Sequence, residues 1–278
     1  MRARKSVNSG AAHCLLLTVC FSLLSACTVT RPVIKIGLVA PFEGRYRDVG
    51  YEVVFAVRLA VREINAAGGV GGYSVELVAL DDSGDEQMAL EQARKLATDA
   101  SVIAVIGHWR ENTTLAAAPE YERAGIPLIA PSANAQLPTS TFKLWNPSSC
   151  HLITASNCFE SLEDLELAAV ENVTITVPAP LPADSADATF AERYRPIAFG
   201  YEPQFNAVLA YDAARLIFDA LARDIAQNQT PSRVGVAEML AQSSCDGLSG
   251  KIEFSATRQW QAPNAWVYVW RGNELVKP

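Results

Sequence analysis

The 278-residue sequence has none of the short motifs that place catalytic groups or phosphates in common enzyme folds. It lacks G-x-S-x-G, H-E-x-x-H, C-x-x-C and G-x-x-x-x-G-K. The glycine-rich run at 68–72 follows a predicted helix instead of opening one, so it is wrongly placed to hold a dinucleotide. The sequence therefore predicts neither an enzyme nor a bound cofactor.

Basic charge and metal ligands are also scarce. The chain has 23 Lys and Arg against 30 Asp and Glu, a formal net charge of −7, and no basic run beyond its first residues. This composition argues against a nucleic-acid partner. Three histidines, and cysteines without zinc-site spacing, argue against a structural metal. Half of the residues are hydrophobic, so the chain can bury a core in one large domain or in two lobes.

A long hydrophobic run is missing as well. The most apolar stretch, residues 14–24, has only 11 residues, whereas a membrane-spanning helix needs about 20. Arg2, Arg4 and Lys5 precede this stretch, and small residues follow it. A basic start, a short apolar run and small residues are typical of an export signal.

The end of this signal resembles the lipobox of bacterial lipoproteins. Leu24-Ser25-Ala26 leads into Cys27, and in such proteins the cysteine is lipidated and becomes the first mature residue. We therefore expect a signal peptide over 1–26 and a linker over 27–32. The resemblance implies a protein that lies outside the cytoplasm, in the periplasm or on the outer surface, and is anchored to the membrane through lipid on Cys27. An ordinary signal peptide with a chance cysteine is the alternative.

Few cysteines remain after this processing. Cys150, Cys158 and Cys245 would then lie in an oxidising compartment. Cys150 and Cys158 are close in sequence and form a candidate disulfide, and unpaired buried thiols are the alternative.

Residues 33–141 alternate short apolar runs with amphipathic segments. This rhythm predicts a parallel sheet covered by helices on both faces, a three-layer α/β/α lobe with any ligand at the carboxyl ends of the strands. The predicted strands are 33–39, 74–80, 102–106 and 126–130, and the predicted helices are 51–67, 86–100 and 113–124.

The pattern is less regular over 142–278, where we predict a second, shortened α/β lobe. Predicted helices cover 160–169, 190–198, 204–225 and 234–241, and predicted strands cover 173–177 and a closing pair at 251–254 and 265–270. Trp266, Tyr268 and Trp270 alternate with valines, which predicts a strand packed on both faces.

The loop after the third predicted strand carries the most chemistry. Trp109, Arg110, Glu111, Asn112 and Thr113 bring together an indole, both charge signs, an amide and a hydroxyl where a helix begins. The unpaired backbone N–H groups of a helix start suit a small anionic group. In the alternative interpretation, Trp109 packs into the core and Asn112 or Thr113 caps the helix. The earlier Asp81-Asp82 pair predicts capping and turn contacts.

Five separated blocks resemble the type I periplasmic binding proteins of the branched-chain amino-acid family, in the same order. The blocks are 34–41 with Gly44 and Gly50, 60–72, 105–108 with 125–133, 199–203 with 210–213, and 246–254. The resemblance covers nearly all of the chain except residues 142 to about 170. It implies two similar α/β lobes that bind a small solute, often an amino acid, in the cleft between them and deliver it to an ABC permease.

Two features depart from that family. The 70 residues from Phe142 to Tyr211 leave room for about two βα units of ~30 residues, which indicates a shortened second lobe. Glu111 lies where the resemblance implies a hydroxyl residue for the carboxylate of the solute, although Thr113, Thr114 and Ser132 are nearby in sequence. The acidic residue that the family supplies from the second lobe has no clear counterpart over 154–157.

The sequence and the resemblance together predict an extracytoplasmic lipoprotein that binds an amino-acid-like solute for an ABC importer. Arg110 is the candidate for the carboxylate of the solute and Glu111 for its ammonium group. The alternative is a ligand-free envelope interaction or sensory protein that keeps the fold. The residues expected to line the first-lobe wall are Trp109, Arg110, Glu111, Asn112, Thr113, Ser132, Ala133 and Asn134.

Overall fold

The computed structural model describes residues 31–131, 136–145, 152–153, 158–159, 169, 172–261 and 266–278. Contacts divide the chain into Met1–Pro32 and a second unit, Val33–Pro278, which contains all the elements below. No helix in the described residues combines the length and the apolar character that crossing a bilayer requires.

Five parallel strands form the first sheet, in the order β2-β1-β3-β4-β5. Strand β3 is buried along its whole length, as expected for an apolar strand with helices on both faces. The predicted parallel sheet is therefore confirmed. Its strands are β1 (Val33–Ala40), β2 (Ser74–Asp81), β3 (Val102–Gly107), β4 (Leu128–Ala130) and β5 (Phe142–Lys143).

Helices cover both faces of this sheet. Helix α1 (Arg47–Ala66) shares a core with Ile36 and Leu38 of β1. Helices α2 (Glu86–Thr98) and α3 (Glu111–Arg123) share a separate core with Val39 of the same strand. Successive strand residues point to opposite faces, so the two cores lie on opposite sides of the sheet. The predicted three-layer arrangement is confirmed.

Three later helices complete this lobe. Helix α4 (Phe190–Tyr194) is followed by a 3₁₀ turn and then by α5 (Phe205–Asn228), which packs along α1, and α6 (Arg233–Ala241), which contacts β3. The predicted boundary at 141/142 therefore does not separate the helices of the two sheets, because α5 and α6 pack on the first lobe. Helical periodicity gives the apolar face of a helix, and it does not identify the sheet that the face covers.

The second sheet has the order β12-β11-β8-β6-β7, and all of its recorded pairings are antiparallel. The chain between β8 and β11 contains α4, α5 and α6, and the helix predicted at 160–169 lies, except for Ala169, outside the described residues. Its strands are β6 (Leu152–Ile153), β7 (Cys158–Phe159), β8 (Val173–Val177), β11 (Trp266–Arg271) and β12 (Glu274–Val276).

The closing strands pair differently from the prediction. Strand β9 (Ser244–Gly247) forms a hairpin with β10 (Gly250–Glu253), and β11 pairs with β8 and β12 instead of β10. Only one face of β11 is buried, since Tyr268 is 1% exposed and Val267 is 43% exposed. The prediction of a strand buried on both faces is wrong, because valine is favoured in strands on exposed faces as well.

A buried carboxylate joins the two C-terminal sequence blocks of the family resemblance. Asp212 of α5 accepts backbone N–H bonds from Leu248 (2.7 Å) and Ser249 (2.8 Å) in the β9–β10 turn. A Cβ atom on Gly247 would lie 2.7 Å from the Asp212 carboxyl group, so this position has room only for glycine. Burial raises the pKa of Asp212 to about 6 although the two N–H groups oppose the rise.

Candidate functional site

Three loops meet at the carboxyl edge of the first sheet, because the ends of parallel strands share one edge. The Arg110 guanidinium, after β3, lies 4.0 Å from the ring centroid of Tyr46 in the segment after β1. Arg110 Nη1 also donates a 3.2 Å hydrogen bond to the Gly84 carbonyl after β2. Arg110 therefore joins the loops of three neighbouring strands.

A buried histidine, His108, lies two residues before Arg110 in the chain. His108 Nδ1 is 2.7 Å from Asp82 Oδ2, and its Nε2 is 3.2 Å from the Tyr121 hydroxyl. Burial raises the pKa of Tyr121 well above its usual range, so this hydroxyl keeps its proton and can donate to Nε2. That leaves Nδ1–H to donate to Asp82, and all three groups are satisfied. These contacts fix the end of β3 between β2 and α3.

Asp81 and Asp82, at the end of β2, make the turn contacts that the sequence predicts, and Asp82 makes one further contact. Asp81 accepts N–H bonds from Phe42 (2.7 Å) and Ser83 (2.8 Å), and Asp82 accepts one from Gly84 (2.9 Å). Hydrogen bonding from Ser83 and Phe42 outweighs desolvation, the largest single contribution, and lowers the pKa of Asp81. Asp82 also accepts a hydrogen bond from His108 Nδ1–H, a contact that the sequence did not indicate.

The structure places Trp109 in the core. Its side chain is 3% exposed, and its Nε1–H donates to Asn206 Oδ1 of α5 at 3.3 Å. Asn206 Nδ2 donates in turn to Glu52 Oε2 at 3.3 Å. Trp109 thus connects the loop after β3 to α1 and α5. This placement agrees with the alternative interpretation of the sequence, in which Trp109 packs into the core.

The two threonines are buried inside the first turn of α3. Thr113 Oγ1 donates to the Arg110 carbonyl (3.0 Å), and Thr114 Oγ1 lies 3.0 Å from the His108 carbonyl and 2.6 Å from that of Arg110. The helix begins at Glu111, its N-cap position is Arg110, and no side chain caps it. The alternative prediction of a cap by Asn112 or Thr113 is therefore wrong, because both residues lie within the helix.

Glu111 and Asn112 are partly exposed beside Arg110. Asn112 Nδ2 donates to Glu86 Oε1 at 3.4 Å, while its buried Oδ1 has no hydrogen-bond donor among the described residues. The first turn of α3 thus brings together a guanidinium, a carboxylate and an amide. Tyr46 and Gly84 join them, and the sequence analysis missed both residues, since only the strand order brings their loops together.

Several predicted residues cannot be placed. Cys27, Ser132, Ala133, Asn134 and Cys150 lie outside the described residues. The side chain of Cys158 is likewise outside the description, so the predicted disulfide and lipid site remain predictions.

A second buried carboxylate ties α1 to α5. Glu52 accepts backbone N–H bonds from Gln204 (2.9 Å) and Ala207 (2.7 Å) at the start of α5. Burial raises the pKa of Glu52 to about 7, although these bonds oppose the rise. Glu52 therefore fixes the start of α5 close to Asn206 and Trp109.

Within the described parts of the chain, no three His, Cys, Asp or Glu side chains cluster as metal ligands would. The free thiol of Cys245 is half-buried, and desolvation raises its pKa to about 11. A thiol with a raised pKa is a poor nucleophile at neutral pH.

The part of the chain that forms this edge is similar in sequence to a known family. Residues 33–155 match the sequence model of a family described as periplasmic binding protein. A Pseudomonas aeruginosa amino acid binding protein is 34% identical over 105 residues, which are 37% of this chain and 28% of the relative. The Leu/Ile/Val-binding protein of Escherichia coli K12 is 32% identical over 120 residues, 43% of this chain and 32% of the relative. The match to each relative thus spans about a third of its length or less.

Solved structures extend the similarity to most of the chain. A Streptococcus pneumoniae branched-chain amino acid transporter substrate-binding protein, solved with isoleucine, superposes with a TM-score of 0.73 at 18% identity, covering 88% of this chain and 100% of the other. A Thermotoga maritima leucine-binding protein gives 0.69 at 17% identity, covering 88% and 99%. The chain has the type I periplasmic binding protein fold, and the family resemblance of its sequence is confirmed.

Proposed function

We propose that the protein is an extracytoplasmic solute-binding protein of an ABC importer, with an amino-acid-like solute. The observation that carries this proposal is the meeting of three strand-end loops at Arg110. Proteins with open α/β sheets bind their ligands at this edge, outside the carboxyl ends of the strands. The relatives named above include amino acid binding proteins, and the sequence match at 33–155 covers the whole edge.

The side chains at this edge suit a zwitterion. A guanidinium pairs with a carboxylate through two parallel hydrogen bonds, so Arg110 is proposed to bind the carboxylate of the solute. The partly exposed Glu111 is proposed to supply a carboxylate acceptor for its ammonium group. Ser132, Ala133 and Asn134 follow the neighbouring strand β4 and are proposed to extend the same wall.

The proposed cellular context follows from the N-terminal sequence. Residues 1–26 would direct export, and lipid on Cys27 would hold the protein at the membrane next to its ABC permease. Incorporation of labelled palmitate that is lost in Cys27→Ser would support the lipid anchor. Equal labelling of both proteins would contradict it.

The test of solute binding is a thermal-shift screen of residues 28–278 against amino acids, amides, polyamines and short carboxylates. A solute at about 100 times its Kd should raise the melting temperature by about 5 °C or more. Arg110→Gln should abolish the shift. Arg94→Gln, which removes an exposed guanidinium paired with Glu120, should leave it unchanged.

One observation favours a second candidate, a ligand-free envelope interaction or sensory protein. The described part of the second lobe is an antiparallel sheet with strands of two to six residues. If a cooperatively melting protein shows no shift with any solute, and a protein partner co-purifies, this second function replaces the first.

A further inference from the structure

Aromatic side chains gather on the surface between α1 and the segment before α5. They form an aromatic groove with a cavity volume of about 410 Å³. Two charged residues, Glu43 and Arg47, complete its lining. The rings of the groove are Phe42, Tyr51, Phe55, Phe199 and Tyr201.

The rings of the aromatic groove contact one another. The rings of Tyr51 and Tyr201 stack with centroids 5.2 Å apart. The ring centroid of Phe55 lies 5.8 Å from that of Phe199 and 5.9 Å from that of Tyr201. Ring contacts at these distances are favourable, so the rings stabilise one another along the groove.

Phe199 projects from the edge of this groove. It is 87% exposed, whereas the other exposed large hydrophobic residues in the described chain are valines between 43% and 63%. Its φ is +50°, a backbone conformation that costs free energy for a bulky residue. Neither the exposure nor the positive φ of Phe199 stabilises an isolated copy of the chain, because the ring is little buried there. A partner that covers the ring accounts for both.

The lining of the aromatic groove contains an exposed ring, Phe199, together with side chains of both charge signs, Glu43 and Arg47. The guanidinium of Arg47 lies 3.8 Å from the exposed carboxylate of Asp48. An interface between two identical chains related by a two-fold axis uses the same patch on both, so the patch must contain both halves of every contact.

We propose that the aromatic groove is an interface between two copies of this chain. Phe199 of each copy enters the groove of the other, and Glu43 of each copy faces Arg47 of the other. The groove shares the segment after β1 with the candidate solute site, but the candidate solute side chains Arg110, Glu111 and Asn112 do not line it, so the inference does not rest on the proposed solute function. One small patch supports weak, concentration-dependent association instead of a permanent dimer.

The first test is sedimentation velocity of residues 28–278 from about 1 μM to about 1 mM, a range that covers weak association. The average mass should rise toward twice the chain mass. Phe199→Asn should stay monomeric at every concentration without a lower melting temperature, because asparagine tolerates positive φ. Val234→Asn, at a valine that is 63% exposed and outside the groove, is the matched control and should associate like the wild type.

The second test exchanges charges. The Glu43→Arg protein alone and the Arg47→Glu protein alone should each remain monomeric, because each copy then carries two like charges at the interface. An equimolar mixture of the two variants should associate again, since opposite charges then face each other across the axis. This recovery is specific to the paired geometry and would not follow from a change in folding.

Three results would overturn the proposal. The first is a monomeric wild type throughout the range, and the second is association that Phe199→Asn does not weaken. The third is a failure of the charge-variant mixture to recover. A monomer whose melting temperature rises with L-phenylalanine or benzoate, in a Phe199-dependent way, would instead assign the groove to a small aromatic ligand.

Discussion

At the residue scale, the sequence identified the chemistry of the loop after β3 and left the burial of each side chain open. Arg110, Glu111 and Asn112 stay at the surface because they begin α3 at the sheet edge. Trp109 turns inward to Asn206, a partner 97 residues away. A contact of that range depends on how α5 returns to the first lobe, and no local pattern predicts it.

The indole contact of Trp109 should contribute to stability independently of any solute. Trp109→Ala should lower the free energy of unfolding by about 3–5 kcal/mol, because it leaves a cavity. Trp109→Phe keeps much of the burial and removes the donor to Asn206, so it should cost about 1–3 kcal/mol. Urea unfolding of the three proteins measures both values. Equal stability of wild type and Trp109→Ala would contradict the core placement.

The buried Glu52 should make stability fall as pH rises. Its pKa is about 7 in the folded protein against 4.5 for an ordinary glutamate, so between these values the folded state binds more protons than the unfolded state. The stabilisation is complete below about pH 4.5 and is lost as pH rises through 7. The difference in pKa corresponds to about 3 kcal/mol.

Urea unfolding of wild type and Glu52→Gln at several pH values between 5 and 8 tests this prediction. As the pH rises across that range, the free energy of unfolding of the wild type should fall by about 2–3 kcal/mol more than that of the variant. Asp212, whose pKa is raised to about 6, adds a change of the same sign to both proteins and cancels in the comparison. Parallel profiles would show that Glu52 ionises normally in the folded protein.

At the scale of elements, periodicity located the helices within a few residues and left their packing open. The apolar spacing of 204–225 predicted α5, which the structure extends to Asn228. The same spacing gave no information on which sheet α5 covers. The contacts that decide it are long-range, such as the hydrogen bond that the Ala207 N–H at the start of α5 donates to the Glu52 carboxylate.

Arg233 at the start of α6 shows what holds these later helices on the first lobe. Its guanidinium donates to the carbonyls of Val102 (2.9 Å) and Ala124 (3.1 Å), and to those of Ala97 (3.3 Å) and Asp99 (2.8 Å). These carbonyls lie at or beside the ends of α2 and α3 and the start of β3, where a positive charge complements the helix dipoles. One side chain therefore joins three elements of the first lobe to α6.

Arg233→Ala should lower the free energy of unfolding by about 2–4 kcal/mol, because it leaves partly buried carbonyls without donors. Arg94→Ala is the control, since its exposed ion pair with Glu120 should contribute less than about 1 kcal/mol. Guanidinium unfolding of both variants gives the comparison. If Arg233→Ala lowers the free energy of unfolding by no more than Arg94→Ala does, the proposed role of Arg233 is contradicted.

At the scale of the whole molecule, the two lobes differ in how far sequence could predict them. The first lobe follows from regular alternation of strand and helix, which leaves few topologies open. The second sheet pairs β8 with β11, whose aligned residues Val177 and Trp266 lie about 90 positions apart. Its strands of two to six residues carry too short a pattern to specify partners at that distance.

The central claim is that a solute binds at the carboxyl edge of the first sheet. Hydrogen–deuterium exchange of residues 28–278, with and without the solute that gives the largest thermal shift, tests it most directly. We predict slower exchange in the loops after β1, β2 and β3, around Tyr46, Gly84 and Arg110, and unchanged exchange in the β9–β10 hairpin. Protection confined to regions away from these three loops would contradict the claim.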